Sequence, residues 1–147
     1  MTLKEKLLAD MKEALKSRDS LRLNTIRSVI AAVKNQEIDL RKEIQEDEVL
    51  SLITREVKKR KEAATLFEQG GRLDLMEKEK QEFDILQAYL PEQVSEEDLR
   101  KRIQEVIAET GVEEMKDFGK IMKVLVPEFK GKADNGLIKT LASEYLK

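Results

Sequence analysis

The sequence predicts an all-α protein, with an N-terminal four-helix unit over residues 1–91 and a C-terminal three-helix unit over residues 92–147. Three observations carry that prediction. Hydrophobic residues make up 40% of the chain and charged residues 39%, the balance of helices with one apolar stripe and a solvated outer face. Aromatics are only 4% and Trp is absent, too few for the strands of a sandwich or barrel. Six Gly and two Pro allow few turns, so the helices must be long.

The elements follow in order. Leu3, Leu7, Leu8, Met11, Ala14 and Leu15 fall on one side of a first helix, with Lys4, Lys12 and Lys16 opposite. Asp19 or Ser20 caps a second helix, whose apolar face is Leu23, Ile26, Val29, Ile30 and Val33. Its other face holds Asn24, Thr25, Ser28, Ala31, Ala32 and Asn35. These small side chains suit either close approach of a neighbouring helix or a ligand groove. Residues 37–46 lack a stripe and read as a connection. A long helix over 47–69 places Leu50, Ile53, Val57, Ala64 and Phe67 inward, and Gly70-Gly71 stops it. A fourth helix covers 74–89, and Pro91 ends it and marks the domain boundary.

Residues 95–98 (Ser-Glu-Glu-Asp) resemble a capping box. They open a helix with Leu99, Ile103, Val106 and Ile107 on one face and Gly111 at its end. A sixth helix over 115–126 turns Phe118, Ile121, Met122 and Leu125 inward. Pro127 and Gly131 then bracket a loop, and Asp134 caps a last helix through Leu137, Ile138, Leu141 and Tyr145. The second unit lies near the lower size limit for a domain without a metal or disulfide.

Cys and His are both absent. That removes disulfides, thiolate and His zinc sites, Cys nucleophiles and Ser-His-Asp chemistry together. No Gly-rich phosphate loop of either nucleotide-binding type is present. Gly131-Lys132-Ala133-Asp134 precedes a helix N-terminus, which reads as an anion site or as an ordinary turn with its cap. The amphipathic start has no apolar core of a signal peptide, and no run is long enough to span a membrane. The expectation is a cytoplasmic protein with no cofactor, no metal, no membrane association and no catalytic residues of its own.

Two charge features stand out. Leu75, Met76, Phe83, Leu86 and Leu90 define the apolar side of the fourth helix, and Glu79 projects from its middle. A charge there needs a partner, and Arg60 or Lys61 across the helix interface is expected to form a structural ion pair with it. The run Arg55, Lys58, Lys59, Arg60 and Lys61 splays around its helix with Glu56 and Glu62 interleaved, as a solvated face does. In the second unit, residues 92–114 carry a net charge of −5, whereas residues 115–139 carry +3. Lys116, Lys120, Lys123, Lys130, Lys132 and Lys139 can therefore present a local basic surface on a chain whose net charge is −2. Lysines without aromatic neighbours suit phosphate contacts rather than base reading; a solvated face is the other reading.

Four segments carry a resemblance: RLNTIRSVIAAVKNQEID (22–39), KKRKEAATLFEQGGRLDLMEKEKQE (58–82), ILQAYLPEQVSEEDL (85–99) and DFGKIMKVLVPEFKGKADNGLI (117–138). Together they resemble the YqeY family of bacteria over essentially the whole chain. The last segment is similar to the tail domain of the B subunit of the tRNA-dependent amidotransferase, an enzyme that converts misacylated Glu- or Asp-tRNA with glutamine-derived ammonia. That resemblance implies a helical module that helps hold tRNA. The matching positions are Asp117, Gly119, Lys120, Met122, Gly131, Lys132, Ala133 and Asp134, of which Lys120 and Lys132 are the phosphate-contact candidates.

The family label of carbon–nitrogen ligase with glutamine as amido donor attaches through association with that enzyme. A stand-alone ligase would need a glutaminase or nucleotide site, or the Gly/Ser-rich stretch of an amidase, and the sequence has none of these. The implied function is a tRNA-binding or tRNA-aminoacylation-associated accessory protein. Its implied partners are tRNA and amidotransferase or tRNA-synthetase components. The alternative is a helical protein–protein interaction adaptor without RNA binding.

Overall fold

A computed structural model describes residues 1–147. The chain is all-α, with seven α-helices and no strand: α1 (Leu3–Ser17), α2 (Ser20–Leu40), α3 (Glu46–Gln69), α4 (Leu73–Gln87), α5 (Glu96–Thr110), α6 (Phe118–Glu128) and α7 (Asn135–Glu144). A single 3₁₀ turn, Met115–Asp117, leads into α6. The helices group into two compact units, Met1–Leu90 and Pro91–Lys147.

Local chemistry sets most helix boundaries. Thr2 Oγ1 accepts the Glu5 N–H at 3.2 Å, and Asp19, not Ser20, caps α2 by accepting the Arg22 N–H at 3.2 Å. Ser95 Oγ accepts the Asp98 N–H at 3.2 Å to open α5. Each cap satisfies one of the free amides that a helix start leaves unpaired. Gly111 ends α5 at φ 71°, whereas α1 and α2 end on Arg18 (φ 59°) and Arg41 (φ 56°) in the same left-handed region. That conformation costs a residue with a Cβ more than it costs Gly.

In the first unit, α1 to α4 bury Leu7, Ile26, Val29, Val49, Ile53 and Leu86. In the second, α5 to α7 bury Leu99, Ile103, Val106, Ile121, Leu125 and Ile138. Details depart from the sequence reading, among them the end of α4 at Gln87 rather than residue 89. α2 runs on to Leu40, so the connection shrinks to residues 41–45. Glu37 explains how that stripe-less stretch stays helical. Its carboxylate takes Lys4 Nζ at 2.8 Å and the Ile44 N–H at 3.1 Å, tying the end of α2 to α1 and to the chain that follows. Pro127 lies inside α6 rather than after it; in the last turn its missing N–H removes only one helical bond. Asp134 stands at the N-cap of α7, but its side chain makes no cap hydrogen bond.

The small-residue face of α2 is divided. Thr25 is buried and its hydroxyl donates to the Leu21 carbonyl at 2.8 Å. Ser28 accepts Nη2 of Arg60 from α3 at 3.0 Å. Asn24, Ala31 and Asn35 are exposed.

Candidate nucleic-acid interface

All six lysines singled out in the second unit are exposed. Lys120 and Lys123 fall on the side of α6 away from buried Ile121 and Leu125, and Lys116 lies just before them in the 3₁₀ turn. Lys120 is therefore not a structural residue turned inward. Lys116 lies 3.2 Å from Glu114 and Lys120 lies 3.5 Å from Asp117. Such solvated pairs are worth about 0–1 kcal/mol, so a phosphate can displace them. Lys130 and Lys132 flank Gly131, whose φ of 77° makes the loop turn. Lys139 sits on α7 beside buried Ile138. The fold thus supplies a group of three, a loop pair and one further lysine on a single unit.

The lysine loop is held by the start of the same unit. Gln93 Nε2 donates to the Gly131 carbonyl at 2.7 Å, and the Val94 N–H donates to the Lys132 carbonyl at 3.0 Å. The Lys132 N–H closes the turn onto Phe129 at 2.9 Å.

The arginines of α5 are in a different state. Arg100 contacts Glu144 at 2.7 Å, Glu96 at 3.1 Å and the Tyr145 hydroxyl at 3.2 Å. Arg102 makes a bidentate pair with Glu128 at 2.8 and 3.0 Å and reaches Glu105 at 3.2 Å. The Arg102 guanidinium, outweighing partial burial, holds the Glu128 carboxyl below the ordinary carboxylate range. These guanidiniums fix α5 to α6 and α7 and are occupied by carboxylates.

In the first unit, the interhelical pair expected for Glu79 takes another form. Arg60 is only 14% exposed at its side chain and lies 2.7 Å from Glu56 and 3.3 Å from Glu82. Its Nε is buried without a hydrogen bond in good geometry. Lys61 instead places its ammonium 5.5 Å from the Phe83 ring centre. The acid that reaches Arg60 is Glu82, because Glu56, one turn back on α3, draws the guanidinium toward that register. Glu79 is half-buried beside Glu82. Burial first, and then the Glu82 charge, raise its carboxyl above the ordinary value, while Arg60 opposes them.

One feature escaped the sequence reading. A cleft of about 470 Å³ in the first unit is lined by Lys6, Asp10, Asp19, Arg22, Ile85, Ala88 and Tyr89. The buried Tyr89 hydroxyl donates to Asp10, Arg22 lies 3.8 Å from the same carboxylate, and Lys6 lies 5.1 Å from the Tyr89 ring centre. Burial and the Asp10 carboxylate push the phenol up, so it stays protonated and acts as a donor. Three distant segments supply these groups, and only the unusual position of a Tyr in the turn after α4 could have hinted at them.

The sequence profile of the family described as Yqey-like protein matches residues 4–146. This chain belongs to that family. Within reach of the YqeY-like chain are fungal proteins named Altered inheritance of mitochondria protein 41, mitochondrial. The protein of Kluyveromyces lactis is 34% identical over 134 residues, covering 84% of this chain and 72% of the relative. That of Candida glabrata is 30% identical over 149 residues, covering 95% and 81%. That of Lachancea thermotolerans is 35% identical over 85 residues, 57% of this chain and 46% of the relative. These relatives overturn the expectation of a cytoplasmic location, since each is mitochondrial by name. They give no support to a bacterial source. The lack of an apolar signal-peptide core bears only on secretion and does not separate the cytoplasm from an organelle.

Proposed function

We propose that this YqeY-like chain is a tRNA-binding accessory protein of tRNA aminoacylation or transamidation, and that the second unit holds the RNA through its phosphates. The observation that carries this reading is the sorting of cations. Lys116, Lys120, Lys123, Lys130, Lys132 and Lys139 are exposed, whereas Arg100 and Arg102 are engaged with carboxylates. Exposed ammonium groups that neutralise phosphates release the counterions condensed on the RNA, and that release drives sequence-independent binding. The similarity of residues 117–138 to the amidotransferase tail supports tRNA as the polyanion and amidotransferase or synthetase components as neighbours. The role is binding rather than catalysis, since chemistry would be supplied by such a partner.

Salt dependence tests the reading. With about four phosphates engaged, affinity for tRNA should fall roughly 100-fold between about 50 and about 200 mM salt. Lys120→Glu with Lys132→Glu should weaken it further, and Arg100→Glu should matter less. Thermal melting of each variant separates lost binding from lost folding. If the wild-type chain shows no salt-dependent tRNA binding at low salt, the protein-adaptor reading takes its place.

A further inference from the structure

The geometry points to the cleft beside Tyr89 as a binding site for a free α-amino acid, held by both its ammonium and its carboxylate. The site lies in the first unit, so the inference is independent of RNA binding by the second. Three elements build it. Lys6 and Asp10 stand one turn apart on α1, Asp19 and Arg22 at the start of α2, and Ile85 and Tyr89 at the end of α4 and just beyond it. The buried Tyr89 hydroxyl donates to Asp10 Oδ2 and anchors that carboxylate. Arg22 Nη2 lies 3.8 Å from the same oxygen, near enough for attraction but too far for a hydrogen bond. Asp10 Oδ1 accepts no hydrogen bond. The Arg22 side chain is 42% exposed and keeps most of its N–H donors for a ligand. Lys6 lies over the Tyr89 ring and forms no ion pair.

Charge selects the occupant. The lining is balanced, with Lys6 and Arg22 against Asp10 and Asp19. A simple anion would meet the two carboxylates, and a simple cation would meet the two bases, each at an electrostatic cost. A zwitterion answers both signs. The bond lengths of an amino acid hold its ammonium about 3 Å from the nearer carboxylate oxygen, close to the 3.8 Å that separates Arg22 from Asp10. One molecule can therefore lie across that loose pair. Its carboxylate meets the guanidinium, with the Lys6 ammonium as a second cation, and its ammonium meets Asp10 Oδ1. Asp19 spends Oδ1 on the Arg22 N–H and retains Oδ2 as a further acceptor. Ile85 and Ala88 give the cleft an apolar wall for a side chain, and its volume of about 470 Å³ is that of a small-molecule site.

The test titrates the full chain, isotope-labelled for nuclear magnetic resonance, with leucine as the probe. Amide shifts should centre on residues 6–10, 19–22 and 85–89, which line the cleft. N-acetyl-leucine lacks the ammonium and leucinamide lacks the carboxylate. Each should bind at least about 10-fold more weakly, because each forfeits charge-assisted hydrogen bonds. Arg22→Gln should weaken leucine binding about 10-fold. Lys6→Gln, at an exposed position, should weaken it about 3–5-fold and keeps the test informative if Arg22→Gln perturbs folding. Lys12→Gln, exposed on α1 outside the cleft, should leave it unchanged. Equal binding of N-acetyl-leucine would make this a site for simple anions, and equal binding of leucinamide a site for amines; either overturns the proposal. So does the absence of leucine binding at about 10 mM, or a set of shifts confined to other residues.

Discussion

The two units use their cations in opposite ways. The first draws Arg60 into the α3–α4 interface, where Glu56, Glu82 and Ser28 share one guanidinium. The second keeps Arg100 and Arg102 near the surface as clasps between helices and leaves its lysines in solvent. Arg suits several simultaneous contacts because its donors are fixed in a plane, whereas Lys is a compact, hydrated point charge. A net charge of −2 thus says little about which surface is basic. What matters is which carboxylates the fold brings within reach of each cation.

The largest test of this comparison removes core volume. Ile53→Ala in the first unit and Ile121→Ala in the second, both fully buried, should each cost about 2–5 kcal/mol. The smaller second unit has less to lose, so Ile121→Ala should abolish hydrogen-exchange protection across residues 91–147 while protection of residues 1–90 survives. If Ile53→Ala strips protection from both halves alike, the units are not separate cooperative bodies.

Next in size is Arg60→Ala, which strands half-buried carboxylates and should cost about 2–4 kcal/mol in denaturant melts. Arg60→Lys should recover little of it, because Arg60 reaches Glu56, Glu82 and Ser28 from three separate nitrogens of its fork and a compact ammonium cannot span them. Arg102→Ala should cost less than Arg60→Ala and should lose most of its effect at high salt, as an exposed clasp does. Equal losses for the two arginines would erase the distinction drawn between the units.

Smaller again are the helix ends. Arg18→Gly and Arg41→Gly should each stabilise the first unit by about 0.5–1 kcal/mol. Gly111→Ala should destabilise the second by about 1–2 kcal/mol, purely through backbone strain, since an added Cβ there meets no atom within 4 Å. Thermal melting of the three variants reads both signs.

The smallest effect concerns pH, and here the units should slope in opposite directions. Glu79 has a raised carboxyl, so the folded state holds its proton more tightly than the unfolded chain. Its contribution falls as pH rises from the ordinary carboxylate value through the folded one. Glu79→Gln should remove that fall and gain under about 1 kcal/mol near neutrality, given solvent screening. Glu128 has a lowered carboxyl. Its contribution is present above the ordinary value and is lost as pH falls through the folded one. Glu128→Gln should therefore flatten the acid limb, and urea melts across pH 3 to 8, roughly the range in which carboxylates titrate, would record both changes.

Periodicity made the helix order legible because each stripe, such as Leu99, Ile103 and Val106, maps directly onto a buried face. Periodicity reports a face but not a register, and Glu79 shows the limit. The stripe puts Glu79 among apolar positions of α4, yet the acid that meets Arg60 is Glu82, three residues on. The run to Leu40 was hidden because long-range bonds through Glu37, not an apolar stripe, hold that turn. The lysine surface was legible from local charge alone, since solvated side chains need no tertiary partner to be placed. The cleft around Tyr89 was not, because its groups converge from the start of α1, the α1–α2 turn and the end of α4.

The bonds from Gln93 and Val94 to the turn between α6 and α7 bear on how a polyanion would be met. A loop that carries Lys130 and Lys132 on a wandering backbone would surrender chain entropy on binding. Here the backbone is already fixed at Gly131 and Lys132, so only side-chain rotamers remain to be ordered, about 0.5–1.5 kcal/mol for each lysine immobilised. Gln93→Ala would loosen that hold without touching a single charge. Affinity should then fall at every salt concentration by a similar factor, leaving the slope of the salt dependence intact.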